Sequence, residues 1–228
     1  MQLDWLKRLG AWGGLVLVLA GCNSAVGMRV ETSVPEPVVA ALPVSIGLYY
    51  AAFQTSVYRE TSEDRGAWEI DVSQAQRQLF DAVIPAMFEV TRPIDNLAAA
   101  GALPIDAVLA PELLQLQFAL PENTKSEFYE AWMKYRIHLT APNGTPIVAW
   151  DIVGDGKSTK GGLFASKQSG LNQAMDQALR SVGANFVVGF ARQPAVQTWL
   201  CAAAQPRPAF CPAASRAQAV TAPPPNAS

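Results

Sequence analysis

Residues 133–140 alternate without a break: Met133, Tyr135, Ile137 and Leu139 are apolar, while Lys134, Arg136, His138 and Thr140 between them are polar. Successive side chains of a strand point to opposite faces, so this pattern predicts a strand with one buried and one wet face. Pro142-Asn143-Gly144-Thr145 follows, and Asn-Gly accepts the positive φ that a tight turn demands. Residues 147–153 then return as the partner strand. A chain holding this hairpin must build a one-sided sheet and cover its apolar face with something else.

Other segments supply the cover and more strands. Val44, Ile46, Leu48 and Tyr50 alternate with Ser45, Gly47, Tyr49 and Ala51, and Leu114, Leu116, Phe118 and Leu120 alternate with Gln115, Gln117 and Ala119. Both read as strands, with a short one at 88–91. Ser73 is placed to cap a helix reaching about Phe88, with Val72, Leu79, Phe80, Val83 and Met87 on one stripe. Pro85 should kink or end it early. Ser169 is placed to cap a last helix, in which Leu171, Ala174, Met175, Ala178, Leu179, Val182 and Phe186 recur at helical spacing. Residues 59–66 read as a polar connection, 92–111 as an excursion with one helical turn, and 154–170 as a glycine-rich loop. The expected fold is α/β in the α+β sense: a two-layer sandwich, its mostly antiparallel sheet carrying two helices on one face. Lys134, Arg136 and His138 would lie on the other face beside the glutamines.

The ends of the chain say where it works. Lys7 and Arg8 precede an apolar run at 9–20, which is too short for a permanent transmembrane helix and fits a signal peptide. Leu19-Ala20-Gly21-Cys22 follows and resembles the bacterial lipobox at all four positions. That resemblance implies cleavage before Cys22 and acylation of its thiol, with diacylglyceryl and palmitate-type chains as the membrane anchor. Asn23, where the similar sorting scheme has Asp for inner-membrane retention, implies the outer membrane, on its periplasmic side. The domains expected are a signal peptide at 1–21, a lipidated, proline-bearing tether at 22–42, an α/β domain at 43–200 and a Pro/Ala-rich tail at 201–228. Cys201 and Cys211 remain; in an oxidising compartment they read as a disulfide pinning the start of that tail. The rival is a metal site, for which two thiols without a nearby histidine are a poor set.

The chemistry-bearing patterns are sparse. Formal net charge is −2, so no basic field draws nucleic acid. The single histidine, His138, sits on the wet strand face beside Arg136 without a nucleophile-elbow motif, and no catalytic set or metal motif is expected. Gly154-Asp155-Gly156-Lys157-Ser158 ends like a phosphate loop, but Asp151 stands where the motif needs its first glycine, so no nucleotide is expected. Glu60 with Glu63, or Glu127 with Glu130, would need facing geometry to act as a glycosidase pair. They read as exposed acidic surface.

Aromatic residues gather near connections, as core plugs or as a partner surface. Tyr49, Tyr58 and Trp132, with Lys134 and Arg136, are the candidates for partner binding. The lipobox, the tether, Leu114-Gln115-Leu116-Gln117-Phe118, Lys134-Tyr135-Arg136-Ile137-His138-Leu139 and the closing amphipathic helix together resemble small bacterial envelope lipoproteins. The ABC-type transport auxiliary lipoproteins and outer-membrane assembly lipoproteins are the nearest types. The resemblance implies a non-enzymatic, lipid-anchored accessory protein without cofactor, docking onto an envelope protein partner by a sheet edge or an aromatic patch. The alternative is a carrier or sensor of an apolar ligand, such as lipid, held between sheet and helices.

Overall fold

The computed structural model describes residues 25–53, 56–159 and 166–211. The signal segment, Cys22 and the tail after Cys211 lie outside the described residues. In chain order the elements are β1 (Val26–Arg29), β2 (Leu42–Tyr49), β3 (Val57–Ser62), β4 (Gly66–Asp71), α1 (Ser73–Met87), β5 (Phe88–Ile94), β6 (Ala107–Ala119), α2 (Pro121–Thr124), β7 (Phe128–Thr140), β8 (Pro146–Thr159), α3 (Lys167–Phe190) and α4 (Pro194–Ala203).

The fold is α+β with two mixed sheets, where one mostly antiparallel sheet was expected. Five strands run β5-β2-β6-β7-β8, and three run β1-β4-β3. β6, β7 and β8 form an antiparallel meander, but β2 is parallel to both of its neighbours. Alternation shows which face is buried and says nothing about direction, which the crossover through β3, β4 and α1 decides. The Asn143-Gly144 turn forms, with Gly144 at φ +86°.

One face of the meander is covered. Ala131, Met133, Tyr135, Ile137 and Leu139 are fully buried. Phe80 of α1 meets the Tyr135 ring edge-on at 5.6 Å, and Phe186 of α3 meets Phe80 at 6.0 Å. The small sheet packs on the same face, with Trp68 against Phe118 at 5.4 Å. Inside this layer the Tyr135 hydroxyl donates to Gln76 Oε1 at 3.0 Å, both groups being buried.

α3 lies directly on β8 because of two glycines. A Cβ at Gly154 would stand 2.3 Å from the Ala178 carbonyl oxygen, and one at Gly156 would stand 2.1 Å from that of Ala174. The segment 154–159, expected in a loop, is therefore strand, and its first two inward positions, 154 and 156, must be glycine. Ser158, the next inward residue, donates its hydroxyl to the Gly170 carbonyl at 2.6 Å.

Several further boundaries move. Residues 59–66 form most of the β3–β4 hairpin instead of a bare connection, and β6 begins at Ala107, inside the expected excursion. Leu114 is displaced by a bulge between Leu113 and Gln115 and is 39% exposed, while Leu116, Phe118 and Leu120 stay buried. Ser166, not Ser169, caps α3, its Oγ accepting the Ser169 N–H at 3.1 Å. At α1 the N-cap is Val72, which gives no side-chain bond, and Asp71 just before it accepts the Ser73 N–H at 3.0 Å. Pro85 is accommodated in the last turn, and α1 runs on to Met87. α4 packs beyond α3 and carries Cys201, which is bonded to Cys211.

The expected tether is the largest correction. Within 23–42, β1 pairs in parallel with β4, from Val26 beside Trp68 to Arg29 beside Asp71. Next, the Glu31 N–H donates to Asn172 Oδ1 at 2.9 Å, and the Thr32 hydroxyl donates to Asp176 Oδ1 at 2.7 Å. A four-residue strand with alternating half-exposure is too short to show as a pattern. It is held by tertiary partners.

Candidate functional site

Among the described residues nothing covers the opposite face of the meander, and alternation along β7 determines what stands there. Trp132, Lys134, Arg136 and His138 share it with Glu112, Gln115 and Gln117 of β6 and with Asp151, Val153 and Asp155 of β8. Most of its charges are matched across strands. Arg136 sits opposite Asp151 and binds it in bidentate fashion, Nε donating to Oδ1 at 2.7 Å and Nη2 to Oδ2 at 3.2 Å. Lys134 Nζ reaches the same Oδ2 at 2.8 Å. Donation by Arg136 and then Lys134 holds the Asp151 carboxyl at about 2, below its ordinary 3.8. His138 Nε2 lies 3.1 Å from Glu112 Oε2, and Lys157 Nζ lies 2.7 Å from Glu130 Oε1.

Between these pairs an apolar spot is left in water. Trp132 is 36% and Val153 51% exposed. With Gln115, Gln117, Met133 and Lys134 they line a shallow recess of about 320 Å³. An aromatic and an aliphatic side chain inside a ring of neutralised polar groups suit a protein contact: the apolar centre supplies affinity and the rim supplies register.

The five expected contact residues do not form one patch. Trp132, Lys134 and Arg136 stand together on the open face. Tyr49, at the end of β2, packs against the small cluster of Ile94, Ala100, Ile105 and Val108. Tyr58, on β3, meets Phe118 edge-on at 6.4 Å and donates its hydroxyl to Glu60 Oε2 at 2.6 Å. Burial first, then the Glu60 carboxylate, push that hydroxyl up to about 12. Asp151 and Val153 also belong to the site; in the sequence Asp151 stands out only as the residue that breaks a phosphate-loop motif, and Val153 only as the end of a strand. Counting outward from Asn143-Gly144 pairs Arg136 with Asp151, so the turn itself held the signal.

The edge of the sheet is less open than its face. Val153 and Lys157 turn backbone groups away from β7, and α3 meets them. The Asn185 amide donates to the Val153 carbonyl at 2.7 Å, and the Lys157 N–H donates to Gln177 Oε1 at 3.2 Å.

A second, apolar recess of about 350 Å³ lies on the helix side, where Val34, Val38 and Val39 run along Val83, Val187 and Val188. Among the described residues no cluster of three or more metal-ligating side chains occurs, and no helix is long and apolar enough to cross a membrane.

No protein-family profile and no curated protein matches the chain. Among solved structures it resembles a DUF330 protein of Xanthomonas campestris at TM-score 0.44 and 11% identity, covering 71% of this chain and 92% of that one. A minor lipoprotein of Acinetobacter baumannii aligns at TM-score 0.35 and 12% identity, covering 70% and 96%. A hypothetical protein of Chlamydia trachomatis aligns at TM-score 0.36 and 13% identity, covering 70% and 99%.

Proposed function

We propose that the protein is a lipid-anchored, periplasm-facing accessory of an envelope transport or assembly complex, and that it works by binding another protein. Anchoring rests on Leu19-Ala20-Gly21-Cys22, and Asn23 favours the outer membrane. The observation that carries the binding reading is the Trp132–Val153 spot, exposed amid paired charges on a face that none of the described elements covers. The face is favoured over the β8 edge, since side chains of α3 already occupy that edge. An apolar ligand between sheet and helices is disfavoured, because the rings of Phe53, Phe80, Tyr135 and Phe186 fill that layer.

A photo-crosslinking residue in place of Val153, in living cells, tests this. An adduct with one envelope protein, lost when Trp132→Ala is added, is the expected result. Labelling no stronger than at exposed Glu89 on β5 would end the proposal. Cys22→Ser separately tests the anchor: precursor should accumulate, and unchanged membrane fractionation would refute lipidation.

A further inference from the structure

The path of the first described residues, read with a patch of exposed valines, gives the domain an orientation. The strand β1 starts at Val26. Two residues, Asn23 and Ser24, lie between Cys22 and Ala25, and the three steps from Cys22 to Ala25 reach about 11 Å at most even when fully extended. An anchor at Cys22 therefore holds the folded domain against the bilayer, where a free stretch to residue 42 would have let it roam.

The anchor also leaves from a particular side. β1 belongs to the small sheet, which packs with α1 and α3 on the covered face of the meander. From β1 the chain follows the outer surface of α3, bonding to Asn172 and then to Asp176. It next lines the apolar recess over Arg180, Ala184 and Val188. There Val38 is fully exposed, with Val39 41% and Val188 54% exposed. Valines in water at this density are unfavourable, at roughly 25 cal/mol per Å² of apolar surface. The nearby cation Arg180 is neutralised by Asp176 at 3.0 Å.

We propose that this helix-side surface lies on the lipid bilayer, with Val38, Val39 and Val188 in contact with it. The open sheet face then points away from the membrane, towards a partner. The inference rests on the lipid anchoring of Cys22 argued above. The paired charges around Trp132 and Asp151 make the open face a poor surface for lipid, and Arg180 is not free to draw anionic headgroups. The contact is mainly apolar, with Glu36 the other charged residue lining the recess, and needs no acidic lipid.

The test uses the full-length, lipidated protein carrying Val38→Cys, Val188→Cys or Ala149→Cys, each labelled with a fluorophore. Ala149 is exposed opposite His138 on the open face. Each sample is placed in phosphatidylcholine vesicles with and without a nitroxide-labelled lipid. Loss of fluorescence at 38 and 188, and none at 149, is expected. Quenching only at 149, or at no position, overturns the orientation. Shielding of 38 and 188 that persists without vesicles assigns the patch to a second copy or a copurified apolar molecule, and also overturns it. Intact mass separates the two readings. A Cys22 without acyl groups removes the anchor itself, whereas acylated protein unquenched at 38 and 188 removes the orientation alone.

Discussion

Asn185 of α3 donates its side-chain amide to the carbonyl oxygen of Val153 at 2.7 Å, on the outer edge of β8. Eight residues earlier in the helix, Gln177 accepts from the Lys157 N–H at 3.2 Å. Eight helical residues rise about 12 Å and four strand residues about 13 Å, so the two side chains match the edge like a sixth strand. Exposed edges template aggregation, and here a helix blunts one.

Replacing both residues, Asn185→Ala with Gln177→Ala, should therefore do more than loosen the helix. Each lost bond should cost about 1 kcal/mol in urea unfolding. Light scattering at high protein concentration should rise at the same time. Unchanged scattering would show that the edge needs no cover.

The glycines of β8 give a sharper contrast. Gly156→Ala puts a methyl group 2.1 Å from the Ala174 oxygen and should destabilise by about 3 kcal/mol. Gly27→Ala meets nothing within 4 Å and should be neutral or stabilising by about 0.5 kcal/mol. Equal melting temperatures for the two variants would contradict the close packing of α3 on β8.

Tyr135→Phe leaves the Gln76 carbonyl buried without its donor, and a loss of about 1–2 kcal/mol is expected in denaturant titration. Adding Gln76→Leu removes the orphaned group and should restore most of that loss. Additive losses in the double variant would mean that the pair is not coupled.

Acid should act on the open face at Asp151. Its carboxyl is held below the ordinary value, so its contribution is present above 3.8 and is lost as pH falls through about 2. Arg136→Ala should move the midpoint upward, towards 3.8, in a carboxyl titration followed by NMR. An unmoved midpoint would show that Arg136 is not the group holding it.

The contrast between β7 and β8 explains what the sequence could reveal. β7 alternates apolar with polar residues, and its buried face is legible from Met133 to Leu139, though not at Tyr129 and Ala131. β8 alternates too, but Gly154 and Gly156 stand inward because a helix backbone lies on them, so a strand looked like a loop. The helix stripes of α1 and α3 were legible, whereas the choice between Ser166 and Ser169 as cap depended on which hydroxyl met an N–H. The direction of β2 and the pairing of β1 depend on residues far away in the chain. Periodicity puts Lys134 and Arg136 on the open face, and Trp132 joins them as an aromatic near a connection. Tyr49 and Tyr58 were grouped with them by closeness to connections, and tertiary packing sends each elsewhere.

β1 has a mechanical consequence. In a chain anchored through Cys22, any pull on the lipid reaches the core through this strand and its register with β4. Drawn along its length, the strand loads its four residue pairs together in shear. The Arg29–Asp71 ion pair reinforces the last of them, and the bonds to Asn172 and Asp176 stand in series behind. Such a connection transmits force and torque in place of absorbing them. Under the proposed function, a displacement of a bound partner would be felt at the membrane, and a shift in the membrane at the partner.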